Sequence, residues 1–163
     1  MPDTQTRDTP SELSLSITDI VREDARIRTY WNLHKDCYSI VHAEGENYGR
    51  VAGYLRIPFL LKNVEFRVQE ATRQRIIEKG VRDICAYAVG RIESLGSVAP
   101  KHIQRMQNQG RHVQFNPFTG DSFVDETGNP VEQTNILLCS VNYDSMTPII
   151  QIISDYYYES LSR

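Results

Sequence analysis

KNVEFRVQEATRQRIIEKGVRDICAYAVGR, Lys62 to Arg91, is where the fold can be read most directly. Val64, Phe66 and Val68 alternate with polar residues, a charged segment runs to Gly80, and alternation resumes from Ile84 to Val89. A period of two, then helical spacing, then a period of two means strand, helix, strand. The spacing predicts a helix over Glu70 to Lys79 whose only apolar residues are Ala71, Ile76 and Ile77, with Gly80 as the left-handed residue that ends it. Glu78 is spaced to pair with Arg75 and Arg82. So narrow an apolar face covers one side of a sheet and leaves the helix's other side to solvent or a partner.

Working back towards the N-terminus, Val51, Gly53, Leu55, Ile57 and Phe59 lie on one face of a strand from Arg50 towards Leu61. Pro58 has no amide donor, so that strand lies at an edge or is interrupted there. Lys62 and Asn63 are expected to form the next turn. Before it, Cys37 to His42 alternates as a strand, and EGENYG, Glu44 to Gly49, supplies a hairpin loop. Ile27, Thr29, Trp31 and Leu33 share a face of the strand before that, with Trp31 as the core anchor. Leu15 to Ala25 fits a short helix capped by Ser16 with Asp19, and residues 1–14 are expected to be a mobile arm.

Forward of the central stretch, residues 94–110 read as a long loop or insertion. It holds a short, weakly anchored helix that begins at Pro100, touches the core through Ile103 and Met106, and ends at Gly110. Short strands separated by the turns Asn116 to Gly120 and Thr127 to Pro130 follow. Asn135 to Tyr143 has the continuous apolar run of a strand buried on both faces. Thr147 and Pro148 then open an amphipathic helix with Ile149, Ile152, Ile153, Tyr156 and Tyr157 at helical spacing up to Leu161. The whole is α+β: a mostly antiparallel sheet of about six or seven short strands, a short central helix and a C-terminal amphipathic helix, in one domain over residues 15–163.

At 163 residues, 40% hydrophobic and 24% charged, the chain has the size and composition of one globular domain. No apolar run approaches the roughly 20 residues that span a bilayer, and the polar N-terminus lacks the apolar core of a secretory signal. The expected location is therefore the cytoplasm, with no membrane partner. Cys37, Cys85 and Cys139 are odd in number and sit among strand residues, which fits buried thiols in a reducing compartment. The net charge of −3 is unevenly spread: Lys62 to Arg111 holds ten Lys and Arg against five Asp and Glu, so the middle is basic and both ends are acidic. That split marks either a surface for an anionic ligand or charges that complement one another within the fold.

Motifs for chemistry are few. His34 and Cys37 have a ligand-like spacing, yet no second close pair completes a zinc site, so no metal is expected. No P-loop, G-x-G-x-x-G or G-x-S-x-G occurs, and a thiol inside an apolar strand is unreactive, so neither a cofactor nor a catalytic residue is assigned. The basic middle remains. Arg67, Arg73, Arg75, Lys79, Lys101, Arg105 and Arg111 form a candidate set for neutralising phosphates. Tyr87, Phe115 and Phe118 are candidates for stacking on bases. The competing reading makes the arginines a solvated face and the aromatic residues core.

YWNLHKDCYSI (Tyr30 to Ile40), GRVAG around Arg50, FRVQEATRQRIIEKGVRDICAYAVG (Phe66 to Gly90) and QFNPFTGDSFVDETGNPV (Gln114 to Val131) together resemble small proteins encoded by bacteriophages and prophages, of no established activity. The resemblance covers about Tyr30 to Tyr143. It implies a phage setting, hence the host cytoplasm, and supplies no catalytic residue. Where such proteins carry Asn-Val-His, this chain has Asp83, Ile84 and Cys85, so no role for that histidine carries over.

The function expected from these readings is a small non-enzymatic accessory protein that binds nucleic acid or a nucleotide through its basic middle. The alternative is a module that binds and modulates a host protein through its acidic ends and tyrosine-rich C-terminal helix, a helix that also offers a surface for a homo-oligomer. An enzyme of unknown type comes third.

Overall fold

The computed structural model of the chain describes residues 16–95 and 100–162. The arm expected over residues 1–14 lies outside them. Eight strands form one sheet: β1 (Arg26–Asn32), β2 (Cys37–His42), β3 (Val51–Leu55), β4 (Phe59–Val68), β5 (Ala86–Glu93), β6 (Arg111–Val113), β7 (Gln133–Asn142) and β8 (Thr147–Ile152). Their order is β3-β2-β1-β5-β4-β7-β8-β6, and every adjacent pair is antiparallel. Among the described residues four helices accompany them: α1 (Ile17–Ile20), α2 (Glu70–Lys79), α3 (Pro100–Gln109) and α4 (Asp155–Ser162). The class is α+β as expected, with eight strands rather than six or seven.

Alternation sorts the sheet into two faces. Ile27, Thr29 and Trp31 of β1 are fully buried on one face, and register brings Ile40, Tyr38, Ala88, Leu61 and Leu137 to the same side. This face is the inside of a curl. The Tyr38 hydroxyl donates to Ser140 O at 2.6 Å, although β2 and β7 are four strand steps apart. In a flat sheet four steps are about 19 Å, far beyond a tyrosine's reach. The sheet therefore bends round its inner face as a partly closed barrel does, and Tyr143 Oη donating to Arg56 O at 3.1 Å ties the same two regions from outside. Phe115 and Phe123, from the loop after β6, stack with ring centroids 5.3 Å apart, and Phe123 also meets Phe66 of β4. On the outer face, among the described residues, α3 and α4 lie over Leu60, Ile136 and Leu138 of β4 and β7 rather than over β1, β2 or β5.

Two hairpins turn by the same device. Asn32 Oδ1 accepts from the amides of His34 and Lys35 and Asn142 Oδ1 from that of Asp144, and each turn closes on a residue at positive φ, Asp36 (52°) and Met146 (51°). Such Asx turns need the short carboxamide at the strand's last position. α2 ends where expected, with Gly80 at φ 64° donating to Ile76 O at 3.0 Å.

Three expectations are corrected. The residues after Pro148 form β8, with Ile150 and Ile152 inside and Ile149 and Gln151 outside, and helix α4 begins only at Asp155. Because β6 reaches only Ile150 to Ile152, Pro148 lies beyond it and its missing donor costs no bond to that neighbour. Lys62 and Asn63 are no turn: β4 runs through them as a bulge, with Asn63 at φ 53°. Opposite, Gly90 leaves the space the bulge fills, since a Cβ there would lie 3.0 Å from Lys62 O. Finally, the chain between β6 and β7 makes isolated bridges rather than strands.

That segment is closed by Asp125, whose Oδ1 accepts from Thr127 N (2.9 Å), Thr127 Oγ1 (2.7 Å) and Asn129 N (3.0 Å). The Thr127 hydroxyl first, then the Asn129 amide, hold the carboxyl below its ordinary range. A carboxyl depressed in the folded state adds stability above its unfolded pKa of about 3.9, and that stability is lost as pH falls through the folded value. Asp125 is expected to titrate below 3.9 by NMR, and Asp125→Asn to flatten the loss of stability on acidification. A midpoint at or above 3.9 would show that the turn does not hold the anion.

Candidate functional site

The part of the outer face away from α3 and α4 is built by the side chains that alternation turns outward, of which Ser39, Val41 and Val89 are buried beneath half-buried Arg28, Tyr30 and Tyr87. On β1 these are Arg28 and Tyr30, on β2 Ser39 and Val41, on β5 Tyr87 and Val89, and on β4 Glu65 and Arg67. Register sets Arg28 beside Val41 and Val89, and Arg67 beside Tyr87. The Arg28 guanidinium lies over the Tyr87 ring, 5.3 Å from its centroid. A flat cation on an aromatic face is held electrostatically and keeps its second face available. Arg67 is hydrogen-bonded to Glu65 at 3.0 Å, and that bond, ahead of the charge nearby, raises its pKa further. Farther out, Lys35 lies over Tyr54 at 4.7 Å.

Between these groups runs a trough of about 230 Å³ whose walls include Arg28, Tyr30, Val41, Val51, Gln69 and Tyr87. It combines an apolar floor, two aromatic rings and one stacked cation. A larger hollow of about 430 Å³ lies under the loop after β6, lined by Phe115, Asn116, Thr119, Asp121 and others but by no cation. The trough is the better receptor for an anionic ligand with an apolar part.

The sequence-derived cations fall on separate surfaces. Arg67 borders the trough's ring Tyr87. Arg73 is turned inward: its Nε–H donates to Gly120 O, and Nη1 pairs with Glu70 at 3.2 Å, so it fastens α2 to the loop after β6. Arg75 pairs with Asp83 at 3.4 Å and Arg111 with Asp125 at 3.8 Å. Lys79 is exposed at the end of α2, and Lys101 and Arg105 are exposed on α3, over the β4–β7 half of the outer face. Of the three aromatic candidates, Tyr87 lines the trough, Phe115 is core, and Phe118 carries Arg82 at 5.2 Å. Arg28 and Tyr30 are absent from the sequence-derived set. The signal that finds them is the alternation of β1, which sends them outward between Ile27, Thr29 and Trp31.

A family model for the Mycobacterium phage L5 gene 82 protein matches residues 20–143. The chain belongs to this family. The match supports a phage-encoded protein, and the family's span holds every wall of the trough together with α2, α3 and the loop after β6. No curated protein and no solved structure matches the chain.

The remaining chemistry is quiet. Burial pushes Cys37 up to about 11 and Cys139 higher still, and Cys85, also raised by burial, donates its thiol to Thr119 O at 2.7 Å. Thiols so protonated are poor nucleophiles. Among the described residues no group of three His, Cys, Asp or Glu side chains is placed to hold a metal, and no helix is long and apolar enough to cross a membrane.

Proposed function

We propose that the protein is a small non-enzymatic accessory binding protein of phage that engages a phosphate-bearing ligand, nucleic acid or nucleotide, on the outer face of its sheet away from α3 and α4. One observation supports this reading above the rest: Arg28 is stacked on Tyr87 beside Tyr30, over an apolar trough. Arg28 and Arg67 supply positive charge for phosphates and the rings supply stacking surface. Arg73 and Arg75 serve mainly to hold α2, because Arg73 ties it to Gly120 O and Arg75 to Asp83, whereas the partner of Arg67, Glu65, lies on the same strand.

The test is binding of labelled single- and double-stranded DNA and RNA at two salt concentrations. Each phosphate contact contributes about −0.7 to the logarithmic salt slope for single strands. Arg28→Ala and Arg67→Ala together are therefore expected to weaken binding and make the slope shallower by about 1.4. Arg73→Ala with Arg75→Ala should leave the slope unchanged. The opposite pattern would move the site to α2. No binding at low salt would sink the reading and turn the search to a host protein, starting with Tyr156 on α4, which is 84% exposed.

A further inference from the structure

Resting on that reading, we infer that the trough admits one unpaired base of a single-stranded nucleic acid, stacked on Tyr30 and the Arg28 guanidinium, while the strand's phosphates cross the outer face. Size argues for a base. At about 230 Å³ the trough is smaller than the clefts of roughly 300–1,000 Å³ that enclose a drug-sized ligand. A planar ring enters it, and a sugar and phosphate remain outside.

The lining argues in the same direction. A phosphate alone makes no use of Val41 and Val51, whereas the π-face and edge of a base fit a floor of aliphatic groups beside aromatic and guanidinium planes. The trough reaches from β3 to β5, three strand steps or about 14 Å, so a chain passes across it instead of being closed in. A duplex keeps its bases stacked and paired, and one enters such a site only by being flipped out. At the far end Gln69 is exposed. Its Oε1 accepts from the Thr72 hydroxyl at 3.3 Å, and its NH₂ has no partner among the described residues, which suits an acceptor on a base edge.

The experiment compares the full chain's affinity for a labelled 12-residue oligo(dT), for an abasic deoxyribose-phosphate strand of equal length and for a duplex, at one salt concentration. Stacking is worth enough per base that oligo(dT) is expected to bind about tenfold or more tightly than the other two. Tyr30→Ala should erase the advantage over the abasic strand without altering the salt slope, and Tyr30→Phe, which keeps the ring, should retain it. Equal binding of oligo(dT) and the abasic strand would overturn base insertion and leave phosphate binding standing. A duplex bound as tightly as the single strand would overturn it too. Binding of none of the three would remove both proposals.

Discussion

Tyr38→Ala is expected to cost about 3–5 kcal/mol, in the range of large aromatic truncations in a core, and Tyr38→Phe about 1–3 kcal/mol, the penalty for removing one partner of a buried hydrogen bond. The ring meets Trp31 edge-on at 5.0 Å and Phe59 at 5.2 Å, and all three residues are fully enclosed. The hydroxyl donates to Ser140 O at 2.6 Å, and burial holds its pKa well above the ordinary phenol value. This contact joins two strands that hydrogen bonding along the sheet leaves four steps apart, so it reports on the curl itself. For a chain of this length each kcal/mol moves the thermal midpoint by about 2–4 °C. The alanine variant should therefore melt roughly 6–20 °C lower by circular dichroism. If Tyr38→Phe melts with the parent, the hydroxyl does not hold the curled sheet closed and ring packing alone does.

The residues that made this fold legible are those with one buried face and one clear stop. β1 alternates because only one of its faces is core, and α2 is bounded by a strand before it and Gly80 after it. Pro58 separates β3 from β4 as its missing donor requires. What failed to show was anything that depends on both faces at once. TPIIQIIS has helical spacing only because its outer residues are covered as well as its inner ones, so a two-sided strand followed by α4 imitates one amphipathic helix. The curl is equally silent, because no local pattern tells Tyr38 that Ser140 will be opposite.

The site was partly legible for a related reason. Arg67 and Tyr87 lie in the basic central stretch, where counting charge finds the arginine and the ring is picked out as an aromatic residue near it. Arg28 and Tyr30 lie in an unremarkable strand and become neighbours of Tyr87 only when β1 pairs with β5, 61 positions away in the register Arg28↔Val89 and its continuation. Charge counting also credits Arg73 and Arg75 with freedom they lack. An arginine that ties one segment of the fold to another, as Arg73 does to Gly120 O and Arg75 to Asp83, contributes to the charge total but much less to a ligand.

Met106→Ala is expected to cost about 2–5 kcal/mol, although it sits in a segment whose sequence suggests only a loosely attached helix. Met106 is fully buried against Leu60, Leu138 and Ile153, a second core on the outside of the curl, whereas α2 buries no residue at all. Ile77→Ala on α2 should accordingly fall within about 0.5 kcal/mol of the parent, and urea unfolding of the two variants measures the contrast. Equal costs would mean that α3 is no better anchored than α2. The same variant separates two origins of binding. Loosening α3 displaces Lys101 and Arg105 but leaves Arg28, Tyr30 and Tyr87 on their own strands. Held well below its melting temperature, Met106→Ala should keep the parent's affinity for single-stranded nucleic acid if the trough is the site. A folded variant that has lost that affinity would place the phosphate contacts on α3 instead, because nothing else in the trough depends on that helix.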